Sequence, residues 1–175
     1  MASGGKRRGT EQVGDMVRSL AVVLALVAVV VALNLRDDPD PVKTVDVAPA
    51  VGQARAAAPY AVLAPEGLRG GWRATSVRTS RADGAVEWHI GYVTPAGAYA
   101  GVDQSDGSRE RFVDRFAAGG RAAGTAQLDG RSWQRLEGGD PEVRALVSSA
   151  AGATTVVSGG ASWRELDELA ASLRD

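Results

Sequence analysis

The chain has 175 residues, a formal net charge of −1, a single histidine and no cysteine. That length suits one modest domain beside a short anchor. Zero cysteine excludes a disulfide framework and thiolate chemistry, and one histidine excludes a multi-histidine metal centre.

Charge divides unevenly. Residues 1–18 hold four basic and two acidic side chains, which leaves sixteen basic and nineteen acidic for residues 36–175. The larger part is mildly acidic, which speaks against nucleic acid as a partner. Residues 1–15 are polar and read as a tail on the cytoplasmic side. Residues 16–35, MVRSLAVVLALVAVVVALNL, contain no polar side chain from Leu20 to Leu33. Leu20–Leu33 with Ser19, Asn34 and Leu35 spans about 25 Å as a helix, and Met16, Val17 and the stem of Arg18 extend it toward the roughly 30 Å hydrocarbon core. The expected state is a single transmembrane helix that uses the lipid bilayer as its solvent, because a helix satisfies its backbone internally. Lys6, Arg7, Arg8 and Arg18 precede the run and Asp37, Asp38 and Asp40 follow it. Basic residues stay inside, so the N-terminus is expected in the cytoplasm and the C-terminal part outside the cell membrane. A cleaved secretory signal is the competing reading. The small-residue sites Val30-Val31-Ala32 and Ala48-Pro49-Ala50 are poorly placed for cleavage, so an uncleaved signal anchor is preferred.

Residues 36–48 read as a linker that opens on Pro39 and Pro41, and residues 49–175 as one extracytoplasmic domain. Pro49 to Ala58 predicts a short helix. Tyr60–Leu68 reads as an extended lead-in. Trp72–Ser80 predicts a first strand, followed by a turn over Arg81-Ala82-Asp83-Gly84. Ala85–Val93 is the clearest strand: Val86, Trp88, Ile90 and Tyr92 fall on one face, Glu87 and His89 on the other. Thr94-Pro95-Ala96-Gly97 turns the chain into a third strand, Ala98–Gln104. Phe112, Val113 and Phe116 mark a helix over Arg109–Ala118, with Gly119-Gly120 as its stop. Ala122–Leu128 and Arg131–Glu137 flank the two-residue loop Asp129-Gly130, a strong hairpin signal. Val143–Ser149 and Ala153–Ser158 form a second hairpin around Gly152. Ser162 with Glu165 matches a capping box, and Trp163, Leu166, Leu169, Ala170 and Leu173 form the stripe of a closing helix. Strands interrupted by helices give an α+β fold, with an antiparallel sheet covered by helices.

On these residues the chain resembles an uncharacterised actinobacterial family of single-pass membrane proteins, classed as a domain of unknown function. The resemblance runs through Ala64-Pro65-Glu66-Gly67-Leu68 with Trp72. It continues through Trp88-His89-Ile90-Gly91-Tyr92-Val93-Thr94-Pro95 with Gly97, Tyr99 and Gln104-Ser105, then Gly130 with Trp133 and the helix Leu166–Leu173. It implies an anchor and an outward domain, and brings no reaction or site residue. The element order is more loosely similar in shape to PsbP-like folds.

Catalytic signatures are sparse. No serine sits in a G-x-S-x-G elbow, and a Ser-His-Asp triad would depend on His89 alone. Asp103, Asp106 and Gly107 lack the spacing of a calcium loop. The glycine pairs match neither phosphate-binding pattern. No catalytic residue, metal ligand or cofactor is assigned, and the reading leans away from an enzyme. The residues singled out for binding are Trp72, Arg73, His89 and Trp133, with Arg73, Arg78 and Arg81 as a basic cluster whose simpler role is to protect a sheet edge. Each tryptophan has packing as its simpler role. The sequence thus predicts a membrane-anchored envelope module that binds an envelope protein or small ligand without catalysis. A cell-wall hydrolase and a membrane scaffold paired through Ala21, Ala25, Ala28 and Ala32 are the alternatives.

Overall fold

The computed structural model describes residues 8–34, 44–117, 120–138 and 143–175. The chain separates into two compact units, Met1–Val42 and Lys43–Asp175.

In the first unit α1 (Arg8–Asn34) is a single helix. It begins well before Met16, within the segment expected to be a tail. Glu11 and Gln12 are good helix formers, and adding residues to an existing helix costs little once it is nucleated. Its apolar side chains are uncovered: Leu20 and Leu24 are each 59% exposed, Leu26 61%. Among the described residues no helix is long and apolar enough to cross a membrane. The described side chains of α1 run from Met16 to Val31, about 24 Å of helix. The expected span continues to Leu35, which lies outside the described residues, as does most of the expected linker.

The second unit is α+β. Its elements are α2 (Ala48–Ala57), β1 (Ala64–Pro65), β2 (Arg73–Ala82), β3 (Ala85–Val93), β4 (Tyr99–Ser105), α3 (Arg109–Ala117), β5 (Arg121–Leu128), β6 (Arg131–Glu137), β7 (Arg144–Ala150), β8 (Ala153–Gly159), α4 (Trp163–Ala171) and β9 (Leu173–Arg174). Seven strands form one antiparallel sheet in the order β2-β3-β4-β8-β7-β6-β5, and β1 pairs with β9 in a separate two-stranded ladder. The sheet is two three- or four-stranded meanders joined where β4 meets β8, with Val102 opposite Val157.

Three tight hairpins set the register. Asp83-Gly84, Asp129-Gly130 and Ala151-Gly152 all have positive φ at both residues, the geometry that matches strand twist. Asp83-Gly84 carries β2 on to Ala82, so the first strand outlasts its expected end at Ser80. The end of α3 at Ala117 leaves the expected glycine stop partly outside the described residues.

The sheet has two unequal faces. One carries Trp88, Ile90, Tyr92, Val102, Leu146 and Val157 and packs on Leu166, Leu169 and Ala170 of α4 and on Val51 and Ala54 of α2. The lead-in is stapled to this face by hydrogen bonds. Trp88 Nε1 donates to the Leu63 carbonyl at 3.0 Å, and Tyr60 Oη donates to the Val86 carbonyl at 3.1 Å. Gln104, 2% exposed, accepts from Leu63 N at 2.6 Å and donates to Ala61 O and Thr155 Oγ1. On the opposite face α3 places Phe112, Val113 and Ala117 over Leu136, Ala145, Val147 and Val156. Among the described residues of this unit, the apolar cluster under α3 draws on β6–β8 and includes none of β2–β4.

The capping box forms as expected. Ser162 Oγ accepts from Glu165 N, and Ser162 N donates to Glu165 Oε2 at 3.1 Å. These bonds, led by the Ser162 hydroxyl and followed by the Thr94 hydroxyl, hold the buried Glu165 carboxyl below the usual carboxylate range. A pKa depressed on folding contributes stability above the unfolded value of about 4.3, lost as pH falls through the folded value. Thermal melts of the native chain should therefore steepen their decline below about pH 4, and Glu165→Gln should be less stable at neutral pH yet flatter across that window. Parallel melting curves for the two proteins from pH 6 to pH 3 would refute the assignment.

Candidate functional site

The β2–β4 half of the sheet carries polar side chains on the face opposite Trp88. Strand register explains their arrangement. His89 on β3 lies opposite Asp103 on β4 and opposite Arg78 on β2. One row further along, Ser76, Gly91 and Gly101 face each other. Ser76 follows the unbroken register set by the Asp83-Gly84 turn, and the bulge between Ala74 and Ser76 brings Arg73 to this face as well.

The three polar residues form a relay. His89 Nδ1 is 2.8 Å from Asp103 Oδ1, and His89 Nε2 is 3.0 Å from Ser76 Oγ. A carboxylate only accepts, so the arrangement suits the tautomer with its proton on Nδ1, in which Nε2 accepts from the Ser76 hydroxyl. His89 is 6% and Asp103 5% exposed, whereas Ser76 is half-buried on the edge strand of the sheet. This is the hydrogen-bond order in which an acid orients an imidazole and the imidazole holds a hydroxyl.

Two glycines make room for it. A Cβ on Gly91 would collide with Ser76 Oγ and come within 3.1 Å of both Cε2 and Oη of Tyr99. A Cβ on Gly101 would lie 3.0 Å from the same Oη. The Tyr99 ring, 47% exposed, therefore lies along the glycine row, and its hydroxyl and Ser76 Oγ both border the space beside Gly91. Burial, and then the Asp103 charge, push the Tyr99 pKa up, while Arg78 opposes them. The phenol keeps its proton and remains a donor.

Arg73 and Arg78 stand exposed on the same face of β2, and no ion-pair or hydrogen-bond partner is found for either side chain among the described residues. Glu87 and Arg115 pair at the α3 end, and that pairing holds the guanidinium protonated beyond its ordinary range. Next to the relay a cleft of about 320 Å³ runs along Glu87, Ser105, Arg111, Phe112 and Arg115. Asp106 Oδ1 accepts from Val86 N at 2.7 Å.

The residues singled out from sequence do not converge. His89 and Arg73 lie on one face of the β2–β4 half. Trp72 packs edge-on to Tyr92, ring centroids 6.0 Å apart. Trp133 is fully buried on the opposite face, beside Gln104 and Arg131 at a cavity of about 110 Å³. Ser76, Asp103 and Tyr99, the partners that give His89 its setting, were not among them. Among the described residues no cluster of three or more histidine, cysteine or acidic side chains is placed to hold a metal ion.

No curated protein and no solved structure matches the chain. One family does, over residues 8–173, so both the apolar helix and the sheet domain fall within it. The chain belongs to DUF4245, a family of proteins of unknown function.

Proposed function

We propose that the chain is a membrane-anchored protein of the cell envelope, N-terminus inside, whose outer domain recognises a partner or small ligand on the β2–β4 half of its sheet. The observation that carries the location is α1, whose apolar side chains are uncovered from Met16 to Val31. Buried apolar surface contributes about 25 cal/mol per Å², so a helix of this kind in water is a strong drive toward lipid. The basic residues before it and the acidic ones after it support the orientation.

Expression of the full chain followed by alkaline washing should leave it in the membrane pellet. Protease added to intact cells should degrade the sheet domain. Recovery of the chain from the wash or the medium, or survival of the sheet domain in protease-treated intact cells, would refute the reading.

A hydrolytic role on the same face is favoured by one specific observation, the Ser76–His89–Asp103 hydrogen-bond order.

A further inference from the structure

We propose that Ser76 is a nucleophile toward carboxylic esters that bear a negative charge, with His89 as its general base, Tyr99 as the donor to the developing oxyanion, and Arg73 and Arg78 as the groups that select the charge. The proposal rests on the hydrolytic reading and names its substrate class.

The geometry supplies each part. A serine hydroxyl is a weak nucleophile until a base within hydrogen-bond reach accepts its proton, and His89 Nε2 lies 3.0 Å away. The ring is locked for that task by Asp103 at 2.8 Å, which makes Asp103 a positioning residue. An acyl transfer also needs a donor for the carbonyl oxygen. The Tyr99 hydroxyl and Ser76 Oγ both border the space that Gly91 leaves vacant. The Tyr99 pKa, held above the ordinary phenol value, keeps it protonated. β2 is the outermost strand of the sheet and Ser76 is half-buried there, with Val45 N bonded to Ala74 O along the same edge. An incoming ester there meets Arg73 and Arg78, which lack anionic partners among the described residues.

The reaction balances with water as its only co-reactant. Ser76 Oγ bonds to the ester carbonyl carbon as its proton passes to His89 Nε2. The bond from that carbon to the leaving oxygen breaks, and His89 returns the proton to the departing alkoxide. Water then adds to the acyl-serine carbonyl and gives a proton to His89. The carbon–Oγ bond breaks, Oγ takes that proton back, and the carboxylic acid leaves.

The test uses the full chain in detergent, a fluorophosphonate probe and two chromogenic esters, p-nitrophenyl acetate and mono-p-nitrophenyl succinate. The probe should leave one adduct, on the peptide containing Ser76. Ser76→Ala should abolish the adduct. His89→Gln should slow labelling by ~10²–10⁴-fold and Tyr99→Phe should slow ester turnover by ~10²-fold. His89 is buried, so Ser76→Ala and Tyr99→Phe, with unfolding midpoints near that of the parent chain, decide the matter if His89→Gln fails to fold. The anionic ester should turn over about tenfold faster than the neutral one at low salt, and the ratio should shrink in high salt and in Arg78→Gln. Absence of a Ser76 adduct on the folded chain would overturn the nucleophile and the hydrolytic reading together. An adduct with unchanged turnover in Tyr99→Phe would overturn the oxyanion assignment. An adduct with equal turnover of the two esters would overturn the anionic substrate class and leave the hydrolytic reading standing.

Discussion

Gly159→Ala is expected to abolish cooperative folding of the sheet domain. Gly159 ends β8 opposite Ala100, at the junction of the two meanders, with φ of +155°. A Cβ there would lie 2.9 Å from the Tyr99 carbonyl carbon and 3.0 Å from Ala100 Cα, and closer still to the Tyr99 oxygen. These are backbone atoms of a central strand paired on both sides, so they cannot step aside as a side-chain tip would. Ordinary point substitutions cost about 0.5–3 kcal/mol, and this one belongs in the tail beyond ~4. A domain with a total stability of about 5–15 kcal/mol has little left after that. Gly152→Ala supplies the comparison. Gly152 also has positive φ, +81°, but nothing lies within 4 Å of its added Cβ. It should cost only the backbone term of about 1–3 kcal/mol. Urea unfolding followed by circular dichroism distinguishes the two. Equal midpoints for both variants would show that the close approach at β4 does not govern the site.

The second large effect is expected at Trp88. This side chain is 1% exposed at the centre of β3 and packs in the main core. Trp88→Ala removes that volume and leaves a cavity, a change that costs about 3–5 kcal/mol. It also strips the donor from the Leu63 carbonyl, which Trp88 Nε1 reaches at 3.0 Å. Trp88→Phe separates the two contributions. It retains much of the apolar volume and loses the hydrogen bond, for an expected ~1–3 kcal/mol. If Trp88→Phe proved as damaging as Trp88→Ala in urea titrations, the packing account would fail.

Some of this was legible in the residues and some was not, for definable reasons. Alternation in Ala85–Val93, the Asp129-Gly130 loop and the Ser162–Glu165 box are local signals, and each forms as read. The alternation put His89 on the face opposite Trp88, where it lies, but could not show that it is buried there and bonded to Asp103 and Ser76. The relay draws one residue from each of three strands, so no spacing motif announces it. A register argument would have found it. A two-residue loop at Asp83-Gly84 fixes Arg78 opposite His89, and the turn after Val93 brings Asp103 to the other side. Pairing β4 with β8 and β1 with β9 needed contacts between distant segments, which carry no local mark.

That short β1–β9 ladder bears on how the chain is made. Ala64 and Pro65 find their partners only in Arg174 and Leu173, and Glu66 N donates to Ser172 O. Synthesis delivers the lead-in well before its clasp. Until Leu173 has left the ribosome, Ala64 and Pro65, next to the buried Val62 and Leu63, lack this strand pairing. Chains stopped a few residues short of Leu173 should carry strands β2–β8 and still be cut by proteases near the lead-in.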